Sequence, residues 1–360
     1  MVSKTDLKKR YISTKQKIAN PFIKASNHLG FFDAYSILKR CLGSQIVILT
    51  YHRIGPYNNT WLLPPTSTSD FEKQMKYLSK THKIIPLNNL AETLQEEKSS
   101  NEKLAIVTFD DGYKDSYLYA YPVLKKYKIP ATIFLITGHI GKGDLFWFDK
   151  IRYLLWYTKI KNIKIDDFGE FLSDSIDNKL KSMFIIVEKL KKIPNERKNY
   201  ILEELEDICK IDIPSDLGKE FILSWDEIIE MRENGINFGA HTVTHPILTM
   251  VSLERAKFEI SKSKKDIEKR LNQNINTFCY PNGALEDFNN QIIEIIKNNG
   301  FSCAVTTIPI INSSKTDLYK LGRLFDPWSF DSFKFITSGL YSDATNILNH
   351  MRRLNVNISK

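Results

Sequence analysis

KLAIVTFDDG, residues Lys103–Gly112, decides how the rest of the chain is read. From Leu104 to Phe109 every side chain is apolar or β-branched, with no alternation toward polar residues. A strand apolar on both faces is buried on both faces, as in parallel sheets covered by helices. Asp110 and Asp111 then stand side by side at its C-terminal end, and Gly112 permits a sharp turn. Adjacent carboxylates in such a position repel unless a cation or a proton relieves them.

Working outward, QIVILTYH (Gln45–His52) and ATIFLIT (Ala131–Thr137) repeat the pattern. Shorter runs follow in NFGAHT, NTFCYP and FSCAVTT. Between them lie helical spacings: Tyr117, Tyr121, Leu124 and Lys128, and later Ala256, Ile260, Ile267 and Leu271. About seven strand–helix units predict an α/β fold, a distorted (β/α) barrel rather than an open sheet. Residues 45–340 are assigned to the barrel. Residues 148–223, rich in Lys, Glu, Ile and Leu with no recognisable strand, read as a helical insertion. Residues 1–44 read as a basic helical leader, and residues 341–360 as a C-terminal helix.

Composition narrows the class. The chain has 360 residues, 42% of them hydrophobic and 26% charged, which excludes collagen-like and wholly disordered proteins. The net charge of +9 is mild for this length. No basic run interleaved with aromatics forms a nucleic-acid groove, so no nucleic-acid partner is expected. No apolar run approaches the ~20 residues of a membrane helix, and no signal-peptide pattern is seen, so a cytoplasmic setting is expected. Basic residues of the leader (Lys8, Lys9, Arg10) among Leu7, Tyr11 and Ile12 allow peripheral contact with the inner membrane face. The four cysteines are far apart and imply neither disulfides nor a cysteine zinc site.

A second chemical motif, His241-Thr-Val-Thr-His245-Pro246, also directly follows a strand. Two histidines four apart can reach one metal, and with one carboxylate they make a three-ligand site with an open position for water. The other carboxylate is then free to act as a base. Cys279-Tyr280-Pro281-Asn282-Gly283 forms a rigid turn able to point a backbone N–H into the same mouth, and Tyr51-His52-Arg53 brings a further histidine there. Two His and one carboxylate suit a single divalent ion: zinc first, with iron, cobalt and nickel also compatible.

With TFDDG, HTVTHP, YPNG and YHRIG in this order, the chain resembles the polysaccharide deacetylases, family-4 carbohydrate esterases with the NodB homology domain, over roughly residues 45–325 apart from the insertion. YHRIG is similar to the subgroup acting on poly-N-acetylglucosamine. The resemblance implies a distorted barrel and metal-dependent removal of N- or O-acetyl groups from sugars. The preferred reading is removal of N-acetyl groups from an N-acetylated saccharide in surface-glycan biosynthesis, since FWFD followed by a helical insertion is similar to deacetylase-like proteins of that setting. It implies Asp110 as general base, Asp111, His241 and His245 as metal ligands, and the Tyr280–Gly283 turn as substrate and oxyanion element through the Asn282 N–H. Ser224 and Asp226 are read as helix-start residues, not as catalytic ones. Two departures stand out. Cys279 occupies a position that is usually Arg in the family, and Arg323 is the candidate replacement. The usual late Leu-x-His has no counterpart near residues 319–325, so His52 is assigned the general acid in preference to His350. Trp147, Phe148, Trp225 and Trp328 are available to stack on sugar rings. Two alternatives stay open: an amidase acting on a non-sugar C–N bond, and a degenerate carbohydrate-binding protein.

Overall fold

The computed structural model describes residues 21, 23–40, 45–56, 61–96, 103–325, 329–341 and 343. Ten short strands are seen among them: β1 (Gln45–Tyr51), β2 (Lys83–Ile84), β3 (Lys103–Phe109), β4 (Ala131–Leu135), β5 (Asn162–Ile165), β6 (Gly169–Leu172), β7 (Asn237–Ala240), β8 (Thr277–Cys279), β9 (Cys303–Val305) and β10 (Leu324–Phe325). The main sheet runs β10-β1-β3-β4-β7-β8-β9, parallel at every step, with β2 added to β3. Leu321 bridges Val305 of β9, and three residues later Leu324 pairs with Leu49 of β1. One segment therefore touches both ends of the curled sheet. This is the expected distorted (β/α) barrel.

The apolar strands explain the burial. Every residue of β1 and β4 is buried, and in β3 only Lys103 is partly exposed. Helices cover the outer face, and several helices of the chain start on a capping side chain, among them Ser67, Ser175, Ser252 and Asn289. Ser224 caps the helix Trp225–Glu233 in a full capping box with Glu227, which accounts for the SWDE pattern. Gly239 in β7 has a packing reason: a Cβ there would lie 2.5 Å from the Phe134 ring and 2.6 Å from Thr277 Oγ1. The absent side chain lets β4, β7 and β8 close up directly before His241.

The insertion corrects one expectation. Helices Trp147–Tyr157, Ile176–Leu190 and Asn195–Cys209 dominate it, but β5 and β6 form an antiparallel hairpin within it. Ile163 and Ile165 alternate with exposed neighbours, a two-residue period too short to stand out in a Lys-rich stretch. Of the leader, helix Phe31–Arg40 packs on helix Phe330–Thr337, with Phe32 against Phe335 and Lys334 paired to Asp33. Residues 1–20 of the leader and 344–360 of the C-terminal helix, with His350, lie outside the described residues, as does Trp328. No helix among the described residues is long and apolar enough to cross a membrane.

Candidate active site

Parallel barrels present chemistry at the C-terminal ends of their strands. His52 follows β1, Asp110 and Asp111 follow β3, His241 follows β7, Tyr280 follows β8 and Thr307 lies just past β9. These residues line one cavity of about 220 Å³, together with His245, Asn282 and Phe325. The insertion supplies the facing wall through Trp147, Phe148, Arg152, Val187 and Lys191. Phe148 packs edge-on to His245, and the Trp147 indole N–H donates to the His245 carbonyl at 3.1 Å. Trp225 does not line the cavity; Arg270 lies over its ring.

Two side-chain clusters meet the cavity through Asp110, Asp111, His241 and His245. In the first, Asp111, His241 and His245 bring one ligand atom each to within 4.8 Å of one another, all buried. Asp111 Oδ1 lies 3.5 Å from His241 Nε2 and 3.7 Å from His245 Nε2. His241 Nδ1 is 2.7 Å from the Cys279 carbonyl, so Nδ1–H donates there and Nε2 is left to face Asp111. Burial pushes the His245 pKa down to about 3, helped by its neighbour His241, so this imidazole is neutral. Burial also acts to lower His241, but the Cys279 sulfur and the Asp111 carboxylate more than offset it, and its pKa lies well above the ordinary value. Three converging buried donors of this chemistry fit a divalent metal.

In the second cluster Asp110, Cys279 and His241 also approach within 4.8 Å. A guanidinium already occupies this side. Arg323 donates from Nη1 to Asp110 Oδ1 and from Nη2 to Oδ2, both at 2.7 Å, and its Nη2 lies 3.2 Å from Cys279 Sγ. Arg323 is fully buried, and its remaining donors go to the Thr306 carbonyl and the Thr108 hydroxyl. A second cation here would face that fixed charge, so the donor set fits a metal poorly. Burial alone would raise Asp110, but Arg323 holds the carboxylate well below its usual range, and it stays ionised.

His52 lies at the rim, its side chain 36% exposed, with Nε2 3.9 Å from Asp110 Oδ2. At the Pro281–Gly283 turn, Asn282 and Gly283 both have positive φ, 61° and 70°. Asp287 holds that turn, accepting from Asn282 Nδ2 at 2.5 Å and from the Ala284 N–H at 2.7 Å. The Tyr280 hydroxyl instead points away to the Tyr319 carbonyl. Asp111, Thr242, His245 and Asn282, all in site loops, are four of the eight non-glycine residues with positive φ among the described residues. Backbone strain of this kind persists only where surrounding contacts determine it.

Sequence reading named Trp147 and Phe148 of the cavity wall but missed Arg152, Val187 and Lys191 there, and it missed Asp287 and Glu259. Asp287 sits in an unpatterned loop and gives no sequence signal. Glu259 does give one: a carboxylate within the apolar stripe of Ala256, Ile260 and Ile267.

The profile of the polysaccharide deacetylase family matches residues 97–304. YxkH of Bacillus subtilis, assigned to the polysaccharide deacetylases by its name, is 24% identical over 282 residues, 78% of this chain and 71% of that protein. A poly-beta-1,6-N-acetyl-D-glucosamine N-deacetylase of Staphylococcus aureus is 42% identical over 86 residues, 24% of this chain and 29% of that one. Among solved structures, IcaB from Ammonifex degensii superposes with a TM-score of 0.52 at 21% identity, covering 82% of this chain and 97% of its own. The deacetylase PplD of Streptococcus pyogenes gives 0.51 at 23%, covering 78% and 92%. The profile spans more than half of the residues and takes in the strand-end carboxylates, both histidines and the Pro281–Gly283 turn, so the chain belongs to the polysaccharide deacetylase family.

Proposed function

We propose that this deacetylase removes N-acetyl groups from an N-acetylhexosamine-containing surface glycan or its precursor, using one divalent metal, zinc in the first instance. The convergence of Asp111, His241 and His245 within 4.8 Å at the floor of an open cavity carries the reading. The N-deacetylase named among the relatives supports the amide substrate. Trp147 and Phe148 at the cavity wall offer apolar faces to a pyranose ring.

Asp111, His241 and His245 would hold the ion. When bound, it supplies an acidified water and polarises the acetyl carbonyl. Asp110 is the base. Arg323 keeps it ionised and fixes its direction, at the cost of basicity, so it suits only an already acidified water. The Asn282 N–H, which has no partner among the described residues, is the donor to the acyl oxygen. His52 carries the proton that the departing amine requires.

The test is acetate release by zinc-loaded protein from N-acetylglucosamine oligomers, with O-acetylated xylo-oligosaccharides as comparison. Release from the N-acetylated series that disappears with a chelator and returns with zinc is expected. Release from the O-acetylated series alone overturns the N-acetyl assignment, and chelator-insensitive release overturns the metal.

A further inference from the structure

The His241–His245 loop reverses direction between two residues with positive φ, Thr242 at 66° and His245 at 56°. For a β-branched threonine this is a costly conformation. Two hydrogen bonds inside the loop, from the His245 N–H to Thr242 Oγ1 at 3.1 Å and from the Thr242 hydroxyl to the His241 carbonyl at 2.5 Å, do not hold Val243 and Thr244. Those residues are held from outside. Glu259, on the helix Leu253–Leu271, is completely buried, and its carboxylate points at the loop. Its Oε2 accepts the Val243 N–H at 2.7 Å and the Thr244 N–H at 2.9 Å. Its Oε1 accepts the Thr244 hydroxyl at 2.7 Å and two donors from Arg255, Nε at 3.0 Å and Nη2 at 2.5 Å.

A buried carboxylate is costly unless it is fully paired. Here each oxygen is satisfied, and every partner other than Arg255 belongs to the two residues midway between the histidines. Without it, two part-buried backbone N–H groups would lack their acceptor. From outside, the turn would keep only the backbone bonds from the Thr137 N–H to the Thr242 carbonyl at 3.1 Å and from the Gly138 N–H to the Val243 carbonyl at 2.8 Å, which leave Thr244 unheld. The two imidazoles come from one short segment, with ring centroids 4.7 Å apart, so the loop's path sets the spacing of two of the three ligand atoms.

We propose that Glu259 is a positioning residue for the metal centre, acting through the Val243 and Thr244 backbone to hold His241 and His245 at ligand spacing. It does not touch the ion or substrate. The inference rests on the metal reading of the site.

Reach, not charge, is then what matters. Glu259→Ala removes the acceptor, and Glu259→Asp keeps the charge but falls short of the loop. Glu259→Gln keeps the length and one acceptor oxygen for the two N–H groups. In zinc competition titrations on the full chain, the Ala and Asp variants should bind zinc about 10- to 100-fold more weakly, and the Gln variant within about threefold of the parent. Ile260→Val, a core truncation one residue along the same helix, should lower the melting temperature without moving zinc affinity.

If Glu259→Ala does not fold, the Asp and Gln pair decides alone. Parental zinc affinity in a folded Ala or Asp variant overturns the proposal. So does a Gln variant as weak as Asp, which would make charge the cause, and so does an equal loss in Ile260→Val, which would make it general stability. A parent chain that takes up no zinc overturns the metal reading itself, and this inference with it.

Discussion

Arg323 grips Asp110 with two parallel hydrogen bonds, each 2.7 Å, across 213 positions of sequence. Both side chains are almost wholly buried, at 0% and 4% exposure. The guanidinium that lies beside Cys279 therefore comes from the residue just before the last strand, β10. A planar fork suits this place because it saturates both carboxylate oxygens at once, which a lysine ammonium does not.

Breaking such a pair from one side leaves a buried charge. Arg323→Met should lower stability by about 3–5 kcal/mol in urea denaturation. The double variant Asp110→Asn with Arg323→Met should be more stable than Arg323→Met alone, because the orphaned carboxylate is gone. Strictly additive losses would mean that the two side chains do not act as a pair.

His52→Ala should reduce kcat by roughly 10²–10⁴-fold while zinc content is unchanged, as expected for a lost proton donor. The check is turnover on N-acetylated oligosaccharides alongside metal analysis. A variant that keeps its rate removes His52 from the acid role.

Metal uptake should release one proton. In the metal-free chain the raised pKa of His241 keeps it protonated at neutral pH, whereas His245, lowered to about 3, has no proton to give. Zinc affinity should therefore rise about tenfold per pH unit between about pH 5.5 and 7. Calorimetry in buffers of different ionisation heat reads the proton count directly. A pH-independent affinity would contradict the assignment.

Lys198 tests the seam between insertion and barrel. It is buried, with its ammonium 4.8 Å from the centre of the Trp147 ring, and desolvation lowers its pKa to about 8. The unfolded chain holds this proton up to its normal pKa near ~10.4, so between about pH 8 and 10 the unfolded state binds more protons. Stability contributed at this site should rise with pH across that window. Lys198→Met should stabilise the protein at pH 7 by about 1–3 kcal/mol and flatten that rise. Loss of stability in this variant would show that the cation–π contact outweighs the desolvation.

Apolar strands, strand–helix alternation and the chemical motifs were legible because each is local. A run such as KLAIVTF is too apolar to survive outside a sheet covered on both faces, and barrel topology puts whatever follows it at one mouth. Asp110, Asp111, His241 and His245 could be selected from sequence on that ground alone. Arg323 could be named as a stand-in for the missing Arg, but the contacts that arm these residues could not be read. Arg323 meets Asp110 because the sheet curls until the segment before β10 lies beside β1, and no short-range pattern encodes that closure. The hairpin of β5 and β6 stayed hidden because four-residue strands carry too few periods to register against charged neighbours. Glu259 and Asp287 serve the site in part through backbone N–H groups, so even the visible oddity of Glu259 in an apolar stripe does not name its partners. Those choices belong to tertiary structure because a buried carboxylate is stable only where folding delivers donors to it, and those donors arrive from other parts of the chain.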